Sequence, residues 1–104
     1  MKPINLTQLH QSYQVSDPNR LLLDVRTPKE FYDGHIPGAR NIPFDQVMNY
    51  VSELKKYNEV LVYCKMGGRA HTACEILSSL GIQNLSYLAE SGFPNWQANG
   101  LPVE

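Results

Sequence analysis

Cys64 stands between a short apolar run, Val60-Leu61-Val62-Tyr63, and the segment Lys65-Met66-Gly67-Gly68-Arg69-Ala70. A thiol attacks only as the thiolate, and both a helix N-terminus and a nearby Lys or Arg favour that form. Gly67 and Gly68 allow the backbone to curl with its N–H groups turned inward, and a helix opening near Arg69 adds unpaired donors and the positive end of its dipole. The segment reads as a small anion cradle around one sulfur, with Lys65 and Arg69 as local cations. It contains no His, Asp or Glu, so a reaction whose leaving group needs a proton is poorly served. Sulfur transfer has no such need. The thiolate attacks the outer sulfur of a donor such as thiosulfate, the S–S bond breaks, sulfite departs as a stable anion, and the cysteine persulfide then passes its sulfur to a second nucleophile in a ping-pong cycle.

Such a cysteine has to be positioned by the elements around it. Val60 to Tyr63 reads as a strand buried on both faces, as does Leu21-Leu22-Leu23-Asp24-Val25 after the turn-forming Ser16-Asp17-Pro18-Asn19. Leu85-Ser86-Tyr87-Leu88 and the stretches around Ile4 and Asn41-Ile42 are weaker strand signals. Thr27-Pro28-Lys29-Glu30 has the form of a capping box with Pro at the first helical position, opening a short helix that ends near Gly34. Phe44, Val47, Met48, Val51 and Leu54 predict one amphipathic helix over Phe44 to Tyr57. Ala70, Ala73, Cys74, Leu77 and Leu80 repeat that pattern up to Gly81, a C-cap residue. Strands alternating with helices give an α/β fold with a mainly parallel sheet between helical layers, Cys64 lying at the carboxyl end of a strand, where such sheets bind ligands.

The 104 residues suit one domain, 1–104, and 42% of them are hydrophobic, enough for an ordered core. A net charge of −1 without runs of like charge offers no surface for nucleic acid or an anionic membrane. The first residues lack the apolar stretch of a signal peptide and no segment has membrane-spanning length, so a cytoplasmic protein is expected. Two cysteines in such a chain are read as reduced. Cys74 falls on a helical packing stripe and is assigned to the core, as are Phe93 and Trp96. His10, His35 and His71 lack partners at metal-binding or triad spacing and are read as structural, so neither a metal nor a cofactor is expected.

Three ordered segments resemble the rhodanese family, and together they span nearly the whole chain. The first is Leu22-Leu23-Asp24-Val25-Arg26-Thr27-Pro28-Lys29-Glu30-Phe31, continuing into Gly34-His35-Ile36-Pro37-Gly38-Ala39-Arg40-Asn41-Ile42-Pro43. The second is Cys64 to Ala70. The third joins Ser91-Gly92-Phe93-Pro94-Asn95-Trp96 to Gly100-Leu101-Pro102-Val103, with Ser91 where many members carry a first glycine. The resemblance implies a sheet of about five strands with helices on both faces, Cys64 as catalytic residue, and Lys65, Met66, Gly67, Gly68, Arg69 and Ala70 as the loop that binds the transferred sulfur. Asp24 and Arg26 match positions that support the fold and the loop near the site. The implied partners are a small-molecule sulfur donor and a thiol, cyanide or protein acceptor; no oligomeric state is assigned.

Two other functions stay open at this point. Cysteine-dependent phosphatases and arsenate reductases also wrap a Cys and an Arg around a loop, but with one residue more than the four that separate Cys64 from Arg69, and Tyr63 stands where many have a His. A shorter ring suits a single added sulfur. The other is a sulfur carrier or a regulatory binding module of the same family with little thiosulfate activity, though such modules often lack the cysteine.

Overall fold

The two apolar runs become neighbouring strands. In the computed structural model, which describes residues 1–104, β1 (Lys2–Ile4), β2 (Arg20–Asp24), β3 (Arg40–Asn41), β4 (Glu59–Tyr63) and β5 (Leu85–Leu88) form one sheet in the order β1-β5-β4-β2-β3. Every pairing is parallel, and β2 runs beside β4 in the register Arg20↔Glu59 to Asp24↔Tyr63. The chain moves outward from β2 to β3 and then, beyond β4, to β5 on the other side. The strand order therefore reverses between β2 and β4, and the crevice at their carboxyl ends is where such a sheet offers a site.

Alternation along β4 builds the two halves of the core. Val60, Val62 and Cys64 point to one face, where they pack with Val47, Leu54, Ala70, Ala73, Cys74 and Leu77. Leu61 and Tyr63 point to the other, against Ile4, Leu9, Ile36, Phe93 and Trp96. Helices α3 (Val51–Leu54) and α4 (Gly68–Ser79) cover the first face, while α1 (Leu6–Tyr13) and α5 (Phe93–Ala98) cover the second. Helix α2 (Pro28–Asp33) buries no residue and serves as a spacer, its capping box intact between Thr27 and Glu30. No helix is long and apolar enough to cross a membrane.

The helix expected over Phe44 to Tyr57 is not continuous. Phe44–Tyr50 is a 3₁₀ segment, followed by the single α-turn of α3. Three-residue turns place Phe44, Val47 and Tyr50 above one another, with Val47 fully buried, whereas Met48 is 42% exposed instead of lying on the apolar stripe. Leu80 likewise leaves its stripe, because α4 ends at Ser79 and the turn into Gly81 carries Leu80 outward to 43% exposure. Helices α1 and α5 were not expected. The first opens with a capping box between Asn5 and Gln8, whose side chains and main-chain N–H groups bond reciprocally at 2.8 and 2.9 Å.

Candidate active site

Where β4 ends, the chain turns through Lys65 to Gly67 and enters α4. Gly67 caps that helix with φ +104°, a left-handed conformation that favours glycine, and a Cβ there would come within 2.8 Å of the Glu90 nitrogen. This turn aims two N–H groups at one atom: Gly67 and Ala70 donate to Cys64 Sγ at 3.1 and 3.3 Å. The cradle is backed by the loop before α5. Phe93 donates its N–H to the Cys64 carbonyl at 2.9 Å, and a Cβ on Gly92 would collide with the carbonyls of Cys64 and Lys65, so only glycine permits this approach.

Beneath the strand ends lies a buried ion pair. Asp24, with no exposed surface, accepts from the Arg26 N–H at 2.9 Å and from the Arg26 guanidinium, the shortest contact being 2.6 Å. Burial disfavours the Arg26 charge, but Asp24 more than offsets it and raises the pKa above the ordinary value. The same guanidinium donates to the Gly34 carbonyl at 2.7 Å and lies 4.5 Å from the centre of the Phe93 ring. The Asp24–Arg26 pair thus meets the cradle only through Phe93, and neither residue hydrogen-bonds the thiol. Tyr63 completes the arrangement: its hydroxyl accepts the Ile36 N–H at 3.1 Å, and burial followed by the Asp24 charge pushes its phenol well above the usual range.

Lys65 and Met66 face outward, Met66 with 76% of its surface exposed, and Gly68 is exposed as the first residue of α4. Lys65 makes no ion pair. Arg69, expected as a local cation beside Cys64, is paired with a carboxylate. Its Nη1 and Nη2 donate to the two carboxylate oxygens of Glu30 at 2.7 and 3.0 Å, because α2 holds Glu30 against the first turn of α4. The Arg69 hydrogen bond is the main reason that Glu30 is lowered to about 2.

Cys74 lies one turn beyond Ala70 on the inward side of α4, completely buried, and that burial pushes its thiol up to about 12. Both cysteines are free. The histidines stay away from the thiol: His10 meets Trp96 edge to face, His35 Nδ1 is 2.8 Å from the Phe31 carbonyl, and His71 pairs with Glu75. No three His, Cys, Asp or Glu side chains are grouped to hold a metal ion. Sequence reasoning missed Glu30 as the partner of Arg69, Tyr63 as a support, and the seat of Gly92 against the loop. Thr27-Pro28-Lys29-Glu30 signalled a cap, and nothing in its spacing pointed across 39 residues to Arg69.

Comparison with known proteins agrees with this geometry. Residues 6–99 match the rhodanese-like domain. A sulfurtransferase of Allochromatium vinosum is 36% identical over 83 residues, an alignment covering 80% of this chain and 77% of the relative. The thiosulfate sulfurtransferase GlpE of Tolumonas auensis is 29% identical over 80 residues, covering 77% and 74%. The crystal structure of a rhodanese-related protein from Thermoplasma volcanium superposes with a TM-score of 0.84 at 30% identity, covering 100% of this chain and 98% of that one. With its parallel five-stranded sheet and a strand-end cysteine held in a glycine turn, the chain belongs to the rhodanese-like family.

Proposed function

We propose that the protein is a sulfurtransferase that accepts a sulfane sulfur on Cys64 as a persulfide and hands it to a thiophilic acceptor. The observation that carries this reading is the convergence of the Gly67 and Ala70 N–H groups on Sγ. Donors already aimed at the sulfur stabilise negative charge there before reaction and after it, without reorganisation. Thiosulfate is the donor of choice: Cys64 thiolate attacks its outer sulfur, the S–S bond breaks, and sulfite leaves with the electron pair. Relatives named sulfurtransferase and thiosulfate sulfurtransferase support the assignment.

Cys64 is only 1% exposed, so the thiolate is shielded while the sulfur it acquires extends about 2 Å further along a new S–S bond, toward an acceptor such as cyanide, a small thiol or a protein thiol. The unpaired, exposed Lys65 draws anionic donors to the mouth of the loop. A reduced Cys64 between turnovers fits a reducing compartment such as the cytoplasm. A phosphatase reading is disfavoured, since Arg69 is turned onto Glu30 instead of closing over an oxyanion. Steady-state transfer from thiosulfate to cyanide tests the proposal: the wild type should turn over and Cys64→Ser should not, with the circular dichroism spectrum unchanged. Equal turnover in the variant would remove Cys64 from the mechanism.

A further inference from the structure

Charges around the sulfur loop pair off with one another. Asp24 neutralises Arg26, Glu30 neutralises Arg69, and Lys29 takes Asp33. Lys65 is left without an ion pair, and so is Glu90, whose main chain abuts Gly67. Of the two cations that the loop contributes, one is therefore cancelled by a carboxylate from another helix. Arg69 stands in the chain between the two N–H donors to Sγ, and Glu30, which holds its guanidinium, lines the groove beside Lys65 and Phe93, so the pair is placed to act on an incoming anion. Glu30 holds it by both terminal nitrogens at about one-third exposure of each side chain. A bidentate pair fixes the direction of the guanidinium as well as its charge.

We propose that Glu30 determines donor specificity by masking Arg69, which weakens the preference of the site for doubly charged over singly charged sulfur donors. This rests on the sulfurtransferase reading and adds to it a specificity residue outside the loop. Glu30 touches no reacting atom; it is a positioning residue acting through Arg69. Removing its charge leaves a cation at the mouth of the loop without a partner, and the gain should be largest for the donor of highest charge. Thiosulfate, a dianion, and an alkane thiosulfonate, a monoanion, separate this effect from the chemistry. In both the Cys64 thiolate forms one S–S bond and breaks another, expelling sulfite or sulfinate.

The test is steady-state kinetics with both donors on wild type, Glu30→Gln, Arg69→Gln and the double variant. Glu30→Gln retains an oxygen to accept the Thr27 N–H, which Glu30 now receives at 3.2 Å, so the cap on α2 persists. The thiosulfate KM should fall about five- to tenfold in Glu30→Gln and the thiosulfonate KM about two- to threefold, with kcat little changed. High salt should shrink the gain, as the screening length falls to about 3 Å at 1 M. Arg69→Gln alone leaves the Glu30 carboxylate without its partner and should raise the thiosulfate KM more than the thiosulfonate KM, whereas the same change in the Glu30→Gln background should abolish the gain. A structural role would lower activity with both donors alike and would show no such dependence on background. An unchanged KM ratio in Glu30→Gln, or a gain that survives Arg69→Gln in that background, overturns the proposal. If the wild type takes sulfur from neither donor, the sulfurtransferase reading falls and this inference with it; if both donors are used and only the ratio fails to move, the Glu30 assignment alone falls.

Discussion

Cys64 and Cys74 are equally hidden, with 1% and 0% of their surfaces exposed, and they share one face of the sheet. Their surroundings differ in which way the backbone points. Cys64 ends a strand, and the first turn of α4 aims two N–H groups at its sulfur. Cys74 sits inside the same helix, where the nearby N–H groups are committed to the helical ladder, and it packs within the apolar cluster on that face. Burial alone drives the second thiol up to about 12, since a thiolate there would have no partner. Depth therefore does not separate the cysteine proposed to react from the one proposed to be inert. What distinguishes them is the presence of unpaired donors, and a helix supplies those only at its beginning.

Breaking the supports of one cysteine should not resemble breaking those of the other. Arg26→Met leaves the Asp24 carboxylate buried without its partner and removes the bond to Gly34, and should cost about 3–5 kcal/mol in urea unfolding. Since Arg26 also backs Phe93, which bonds the Cys64 carbonyl, sulfur transfer should fall at temperatures where the variant is still folded. Unchanged stability and turnover would show that the ion pair supports neither the fold nor the cradle. Cys74→Ser should keep its activity but lose about 1–3 kcal/mol, because the hydroxyl is buried among apolar groups. Loss of activity at full stability would place Cys74 in the reaction.

Titration sharpens the same contrast. The Cys74 thiol is raised from 9.0 to about 12 in the folded protein, so the unfolded chain loses this proton first. Its contribution is complete below pH 9.0 and is lost as the pH rises toward 12, with a slope of up to about 1.4 kcal/mol per pH unit. Wild type minus Cys74→Ala, measured by denaturant unfolding from pH 8 to 11, should show that slope; parallel curves would refute it. Glu30 gives the opposite and smaller effect. Its pKa is lowered to about 2, so its contribution is present above the ordinary 4.5 and disappears as the pH falls toward 2. Partial exposure screens the pair with Arg69, and about 1 kcal/mol or less is expected, read as the difference between wild type and Glu30→Gln across pH 2 to 6.

The strand-end cysteine was legible in the sequence because its signals are local: an apolar run, a turn glycine and a helical stripe lie within about two turns of one another. The sheet class was legible for the same reason. Strand order, α1 and α5 were not, since short helices with few buried positions give weak periodicity and order depends on crossovers. The Phe44 to Tyr57 helix failed because spacings of three and four overlap there, and packing against α4 selected the three-residue turn. The pairing of Arg69 was hidden for a different reason. Its charge was visible, but its partner lies on α2, 39 residues away, and only the fold brings the two together.

The central claim is that donors aimed at the sulfur, and not depth, make Cys64 the site of transfer. Incubating the native protein with thiosulfate at neutral pH, followed by peptide mapping by mass spectrometry, tests this directly. The structure predicts one added sulfur, carried by the peptide containing Cys64, with Cys74 unmodified until the protein is unfolded. Sulfur on Cys74, or equal labelling of both cysteines in the folded protein, would contradict it.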